Sequence, residues 1–177
     1  KAQLQFSPQY MELLSFAAKS GKSDLNLKGK VENYLAYFFR DELLQGVFTF
    51  TSSLLDLNGF MSDSETTTGE EESSGLSVIE MPANIDFLLN TDIKKVLYDK
   101  MEITNVKGQV GLKDQTAQLK DVSMNLLDGA LKLGGSYGTR NPEAPKVDLT
   151  LDIAKFDIQK TIKNLPSLGK FAPIAEK

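Results

Sequence analysis

Apolar and polar residues alternate along most of this chain. A period of two is the pattern of a β-strand that buries one face and leaves the other in water. The intervening positions carry mainly Lys, Asp, Gln, Asn and Thr, as in an antiparallel sheet with one wet face. The pattern predicts a mainly β fold: a curved antiparallel sheet of repeated strands that forms a partly open groove, with short α-helices. The alternating runs are Leu4 to Phe6, Leu25 to Leu27, Phe48 to Leu54, Ile85 to Ile93, Val106 to Leu112, Val122 to Leu126, Leu131 to Leu133 and Val147 to Ile153.

Three connections between these runs carry turn residues. Lys113–Thr116 and Asp128–Gly129 predict tight hairpin turns. Asn141–Pro145 contains two prolines, which cannot donate backbone hydrogen bonds, and therefore predicts a loop.

Two segments have helical spacing instead. Apolar residues recur every three or four positions over residues 31–38, with Asn33 as a candidate N-cap. The same spacing recurs over residues 158–165, directly before a proline that would stop a helix. We expect a short helix in each segment, with Phe38 and Ile162 buried against the sheet.

The two halves of the chain match each other in order. Ordered matches of this kind indicate a duplication. We expect a first repeat over residues 1–61 and a second over residues 76–177, together one structural domain cut from a longer array. The matches are Ala2-Gln3-Leu4 with Ala117-Gln118-Leu119, Gly21 with Gly129, Leu25-x-Leu27-x-Gly29 with Leu131-x-Leu133-x-Gly135, and Leu55-Asp56-Leu57 with Phe156-Asp157-Ile158.

Residues 62–75 separate the two repeats and differ from them in kind. This segment carries five acidic residues and no apolar one. It has too little apolar surface to offset the entropy of ordering, so we expect an acidic, flexible loop. A cation site there is disfavoured, because nothing rigid would hold the glutamates in a coordination geometry.

Composition excludes several kinds of chemistry. The 177 residues include no His, Cys or Trp, so there is no imidazole base, thiolate or His-ligated zinc. The net charge is −4 and the lysines are dispersed, which argues against nucleic acid as a partner. We expect no catalytic residues, no metal and no cofactor, and therefore no enzyme.

Three further features have ordinary structural explanations. Gly134–Gly138 is glycine-rich but lacks the Lys-Ser/Thr ending of a phosphate loop, and a bulge or a close backbone approach fits it better. Asp148 and Asp152 alternate with apolar residues and should lie on a solvated sheet face. Asp56 should cap a turn or the helix after it.

The apolar strand faces remain the candidate functional feature. Alternation alone favours a closed core, whereas many strands and few helices to cover them favour an open groove that could hold an acyl chain. The candidate lipid-groove residues are Phe48, Phe50, Ile85, Phe87, Leu89, Leu149, Leu151 and Ile153.

Several segments resemble AsmA-like proteins of the Bacteroides type. The similarity covers nearly the whole chain apart from the acidic loop, and it includes no catalytic signature. The segments that carry it are Asp24–Leu35, Asp41–Phe48, Leu54–Phe60, Met81–Phe87, Val96–Lys100, Leu127–Leu133 and Leu168–Ile174.

The resemblance implies a cell-envelope protein that projects into the periplasm from the inner membrane. Its anchor would lie outside this fragment. The implied function is outer-membrane assembly, with phospholipid carried along an apolar β groove. The alternative is a periplasmic scaffold that helps outer-membrane proteins assemble with envelope protein partners and carries no lipid. A carbohydrate- or protein-binding β module is a third class, but no exposed aromatic cluster on a polar face supports it.

Overall fold

The computed structural model describes residues 1–62 and 79–155, and of residues 60–62 it describes only the backbone. The acidic segment from residue 63 onward and the predicted helix at 158–165, with Ile162, lie outside the described residues. The elements are β1 (Ala2–Phe6), β2 (Tyr10–Ser20), β3 (Ser23–Glu32), α1 (Tyr34–Arg40), β4 (Leu44–Ser52), β5 (Leu55–Asp56), α2 (Leu57–Ser62), β6 (Ile85–Tyr98), β7 (Met101–Lys113), β8 (Thr116–Leu126), β9 (Gly129–Gly138) and β10 (Lys146–Ala154).

The strands form one open sheet in the order β1-β2-β3-β4-β6-β7-β8-β9-β10, with β5 pairing beside β6. The predicted mainly β fold is therefore confirmed. Neighbouring strands are antiparallel, with two exceptions: β6 runs parallel to β4 and to β5. A parallel pair needs a long crossover rather than a hairpin, and residues 53–84 supply it here.

Two three-stranded meanders in the sheet have the same construction. β2, β3 and β4 contain 11, 10 and 9 residues, and so do β8, β9 and β10. Each meander has a register shift at the same place, between Leu13 and Phe16 in the first and between Leu119 and Val122 in the second. This likeness accords with the predicted duplication, although the repeat boundaries stay a prediction.

The equivalence corrects one detail of the sequence match. Leu119 of β8 faces Gly135, and the residue that faces the equivalent Gly29 is Leu13 of β2. Leu4, which the sequence comparison matched to Leu119, lies instead in β1, one strand further out. The sequence pattern missed β2 altogether, because apolar residues stand next to each other on both sides of its bulge, as Leu13-Leu14 and Phe16-Ala17-Ala18, and hide the period of two.

The hairpin and loop predictions hold, with one shift of position. Asp114 and Gln115 form the β7–β8 turn, both with positive φ, as a type I′ turn requires. The β8–β9 turn consists of Leu127 and Asp128, also with positive φ, whereas Gly129 already belongs to β9. The segment at 141–145 is the predicted loop between β9 and β10.

The prediction that Phe38 is buried is wrong. Helix α1 lies at the end of the sheet between β3 and β4, and Ala36 is its only buried residue, while Phe38 is 75% exposed. Asn33 adopts a left-handed conformation at the N-cap without a side-chain capping bond. Its amide instead donates to the Leu43 carbonyl oxygen at 3.0 Å.

Within residues 1–62 and 79–155 the sheet has no second layer over it. The main contacts between elements are those of neighbours in the sheet, plus α1 against β4, α2 against β6 and β3 against β5. The buried hydrophobic residues there are Ala36, Ile93, Val96 and Met101. A closed core would bury alternate residues of most strands, so this sheet is a single, largely open layer.

A carboxylate fixes the point where β4 gives way to β5. Asp24 accepts hydrogen bonds from the backbone N–H groups of Ser53 and Leu54, at 2.9 and 2.8 Å. These bonds hold the pKa of Asp24 below its ordinary value of 3.8, and the bond from Ser53 has the larger effect on that pKa. Just beyond, the buried Ser23 hydroxyl accepts from the Asp56 N–H at 2.9 Å, and the Asp56 carboxylate accepts from the Asn58 N–H at 3.2 Å, the predicted turn-capping role.

Replacing Asp24 should make stability depend less on pH. Because the native pKa of Asp24 is lowered, its stabilisation is fully present above about pH 3.8 and is lost as pH falls through that lowered pKa. We expect Asp24→Asn to reduce the free energy of unfolding by about 0.5–1 kcal/mol at pH 7, because solvent screens the bonds of this partly exposed carboxylate, and by less as the pH falls through its lowered pKa. Urea unfolding across pH measures this. The control Asp148→Asn, on an exposed residue of β10 that faces the neutral Ser136, should change stability little at any pH, and equal losses in both variants would contradict the prediction.

Candidate functional site

All eight candidate groove residues lie on the same face of the sheet. Side chains alternate between faces along a strand, and residues paired across neighbouring strands share a face. The pairing therefore traces rows that cross the sheet at right angles to the strands. The central row crosses nine strands and consists only of apolar residues and glycines: Leu4, Leu13, Gly29, Phe48, Leu89, Val110, Leu119, Gly135 and Leu149.

The rows on either side extend this face, which we call the apolar face. Ile85, at the start of β6, pairs with Leu44 at one border of the apolar face. Ile153, near the end of β10, pairs with Leu131 at the opposite border. One neighbouring row consists of Phe6, Met11, Val31, Gly46, Phe87, Leu112, Ala117, Tyr137 and Val147. The other contains Ala2, Phe16, Leu27, Phe50, Thr91 and Gly108, and continues beyond the β7–β8 bulge with Val122, Leu133 and Leu151.

Sequence reasoning missed the members of these rows that come from β1, β2, β3, β7, β8 and β9. Their alternation was visible in all of these strands except β2. The missing information was which strands lie side by side.

Two aromatic rings occupy the middle of the apolar face. Phe48 and Phe87 meet edge to face, with ring centroids 5.4 Å apart. The rings lie over neighbouring glycines: a Cβ on Gly46 would come within 3.0 Å of both rings, and a Cβ on Gly29 would overlap the Phe48 ring. Because Gly29 and Gly46 have no side chains, both rings can pack close to the sheet backbone in the middle of the apolar face.

Thr91, on β6, is a polar side chain within these apolar rows, and its hydroxyl group is hydrogen-bonded within the sheet. Thr91 donates its hydroxyl hydrogen to the Gly108 carbonyl oxygen at 3.0 Å. Gly108 has a φ of 152° and packs closely against Val122, so that a Cβ there would come within 2.6 Å of the Val122 Cα. A hydroxyl that is already bonded presents little polarity, so Thr91 does not interrupt the apolar face.

The opposite face is polar and carries ion pairs. Lys113 contacts Asp86 at 2.6 Å, and that hydrogen bond raises the pKa of Lys113. Lys107 contacts Asp92 at 3.2 Å. Asp148, by its alternation with the apolar residues of β10, lies on this face, as the sequence predicted, and is exposed.

Exposure of the apolar face increases toward the edges of the sheet. The candidates on β4 and β6 are half-buried by their neighbours. On β10, at one edge, Leu149 is 62% exposed and Leu151 is 50% exposed. On β1, at the other edge, Phe6 is 62% exposed. None of the described elements covers this continuous apolar surface, and a surface of this kind usually marks a binding site.

Other chemistry finds little support in the described part of the chain. No cluster of three or more acidic side chains there could hold a metal ion. A cavity of about 670 Å³ lies at the ends of β6–β9, lined partly by Lys100, Glu102 and Asp128, and includes none of the eight candidates. None of the helices that the structure describes is both long and apolar enough to span a membrane.

The residues that the structure describes define a class: an open β-sheet, in a single layer over those residues, with one apolar and one polar face. No protein-family model, curated protein or solved structure matches the chain. The similarity to AsmA-like proteins therefore stays a prediction from the sequence.

Proposed function

We propose that this chain is the lipid-carrying part of a non-enzymatic, AsmA-like cell-envelope protein. It would act in the periplasm, held at the inner membrane by an anchor outside this chain, and would contribute to outer-membrane assembly. Its ligand would be phospholipid, whose acyl chains lie on the apolar face. The observation that supports the proposal most is the central row, which is apolar across nine strands and has no described layer over it.

The dimensions of the face suit acyl chains. Nine strands spaced about 4.8 Å apart span about 38 Å, whereas one acyl chain occupies about half of a 30 Å hydrocarbon core. Each CH₂ group that leaves water contributes about 0.8 kcal/mol. Half-buried residues such as Phe48 and Leu89 have surface left for that contact. The polar headgroup could stay in water, because the sheet does not close around the face.

The second candidate function is a scaffold, in which another protein covers the apolar face. Among the described residues β1 and β10 are the edge strands of the sheet, which favours this function, because edge strands readily accept a further strand. The two functions predict different occupants of the same face. A test must therefore identify the molecule that contacts it.

A photo-crosslinker placed on either face of β4 should separate the two functions. We expect benzoyl-phenylalanine in place of Phe48 to crosslink phospholipid from vesicles at least about tenfold more than in place of Val47, because the two side chains point to opposite faces of the sheet. Phe48 lies on the apolar face, and Val47 is its exposed neighbour on the polar face. Mass spectrometry would identify the adducts. Melting curves of both variants would show that the fold is retained.

Two results would contradict lipid carriage. Equal lipid labelling at both positions would show that contact is not specific to the apolar face. Protein adducts at position 48 in cells, without lipid adducts, would favour the scaffold.

A further inference from the structure

The two equivalent meanders differ in what lies beside their last strand. Gly29 faces Phe48 in the first meander, and Gly135 faces Leu149 in the second. In each pair the glycine approaches the partner backbone so closely that a Cβ would overlap a carbonyl oxygen, of Val47 or of Asp148. β4 and β10 therefore occupy the same structural position, with Phe48 corresponding to Leu149.

The outer side of β4 is filled by a strand. β6 pairs along it in parallel, from Leu44 with Ile85 to Ser52 with Ile93. The corresponding side of β10 has no paired strand among the described residues, and every residue of β10 is exposed. Val147 is 71% exposed there, although its counterpart Gly46 is buried beside Phe87.

We propose that the free edge of β10 is a binding site for an extended polypeptide strand that adds in parallel, as β6 adds to β4. The partner is identified by its side-chain pattern. Residues opposite Val147, Leu149 and Leu151 should be apolar or small, as Phe87, Leu89 and Thr91 are opposite β4. The added strand would continue the apolar face by one more strand, whether or not that face carries lipid.

The polar face of β10 adds a charge requirement. By the same correspondence, Lys146 stands where Gln45 faces Asp86, and Asp152 stands where Thr51 faces Asp92. An acidic residue opposite Lys146 fits. Opposite Asp148 and Asp152 the partner should be basic, because like charges directly across a strand pair are destabilising. The partner is thus an alternating apolar strand with one acidic and two basic positions on its polar face.

A peptide and a unique cysteine test the site. The chain has no cysteine, so Thr150→Cys creates a single thiol in the full chain. The probe is a peptide of residues 85–98 carrying Leu88→Lys and Asp92→Lys, with a cysteine in place of Asn90, the residue that faces Thr49 beside β4. In register, the two thiols fall within disulfide reach. With oxidised glutathione added as the oxidant, which is reduced to two glutathione thiols, we expect the disulfide to form at least about tenfold faster than with the cysteine moved to position 94, where the two α-carbons lie too far apart.

Charge reversal gives the matched control. With the Thr150→Cys chain, the peptide carrying Asp92→Lys should react faster than the same peptide with Asp92 retained. Adding Asp152→Lys to the chain should reverse that order. Equal rates for both cysteine positions, or no effect of charge, would overturn the proposal. So would concentration-dependent assembly, measured by sedimentation, that the disulfide-linked peptide abolishes, because β10 would then be the contact between two copies of the chain.

Discussion

Leu151→Asp is expected to leave the sheet folded and to reduce phospholipid binding at least about tenfold, or about 1.4 kcal/mol. Leu151 lies on the apolar face, in the edge strand, and is 50% exposed. The new carboxylate could stay hydrated while no lipid is bound, so the fold should survive. An acyl chain laid over it would have to desolvate a charge, which is costly, and would lose the leucine contact. Binding of a fluorescent phospholipid, measured beside a melting curve, gives both readouts.

Thr150→Asp is the matched control for this substitution. It introduces the same charge one residue away, in the same strand, but on the polar face. We expect it to change lipid binding by less than about twofold, because each side chain contacts solvent on its own side of the sheet. Unfolding of the Leu151→Asp variant would show instead that this position belongs to a closed core. Equal lipid binding by both variants would exclude the apolar face as the lipid site.

Gly29→Ala is expected to destabilise the protein by about 2–3 kcal/mol, as overpacking of a tight site does. An added Cβ would lie 2.6 Å from the Val47 carbonyl oxygen and would overlap the Phe48 ring. The ring could rotate away, but the carbonyl belongs to the paired backbone of β4. The strands would have to separate locally, and the edge-to-face contact of Phe48 with Phe87 would be lost. Urea unfolding at equilibrium measures the change.

Gly111→Ala makes the same chemical change in β7 without the crowding. A Cβ there meets only the Gln118 Cβ, at 3.9 Å. Alanine restricts the unfolded chain more than glycine does, so this variant should be unchanged or stabilised by up to about 1 kcal/mol. A similar loss of stability in both variants would show that the close approach at Gly29 is not what limits substitution.

The sequence predicted most strands but not every one. Alternation located β1, β3, β4, β6, β7, β8, β9 and β10, because a strand with one wet face imposes its period of two locally. It missed β2, where adjacent apolar residues on both sides of a bulge hide the pattern. It also misplaced Phe38, because helical spacing shows which residues share a face of a helix but not what lies against that face. α1 sits at the end of the sheet, with little for Phe38 to pack on.

The candidate site was only partly predicted, because alternation describes each strand separately. Each set of candidates was correctly placed on one face of its own strand. Whether the sets meet depends on strand order, and the sequence carries no direct sign that β6 lies beside β4 while β10 lies at an edge. The parallel pairing of β4 with β6 was likewise not visible, because the crossover between them has no turn signature.

The sequence by itself determined that this protein builds sheet with one apolar and one polar face, since alternation is a local property of each strand. It also determined that His and Cys chemistry is absent. Only the tertiary structure decided that nine strands join their apolar residues into one continuous row, that Gly29 and Gly135 sit at equivalent close approaches, and that β10 keeps a free edge among the residues described. These features depend on pairing between residues far apart in the chain, which is set by the connections and by the fit of side chains across strands rather than by any local pattern.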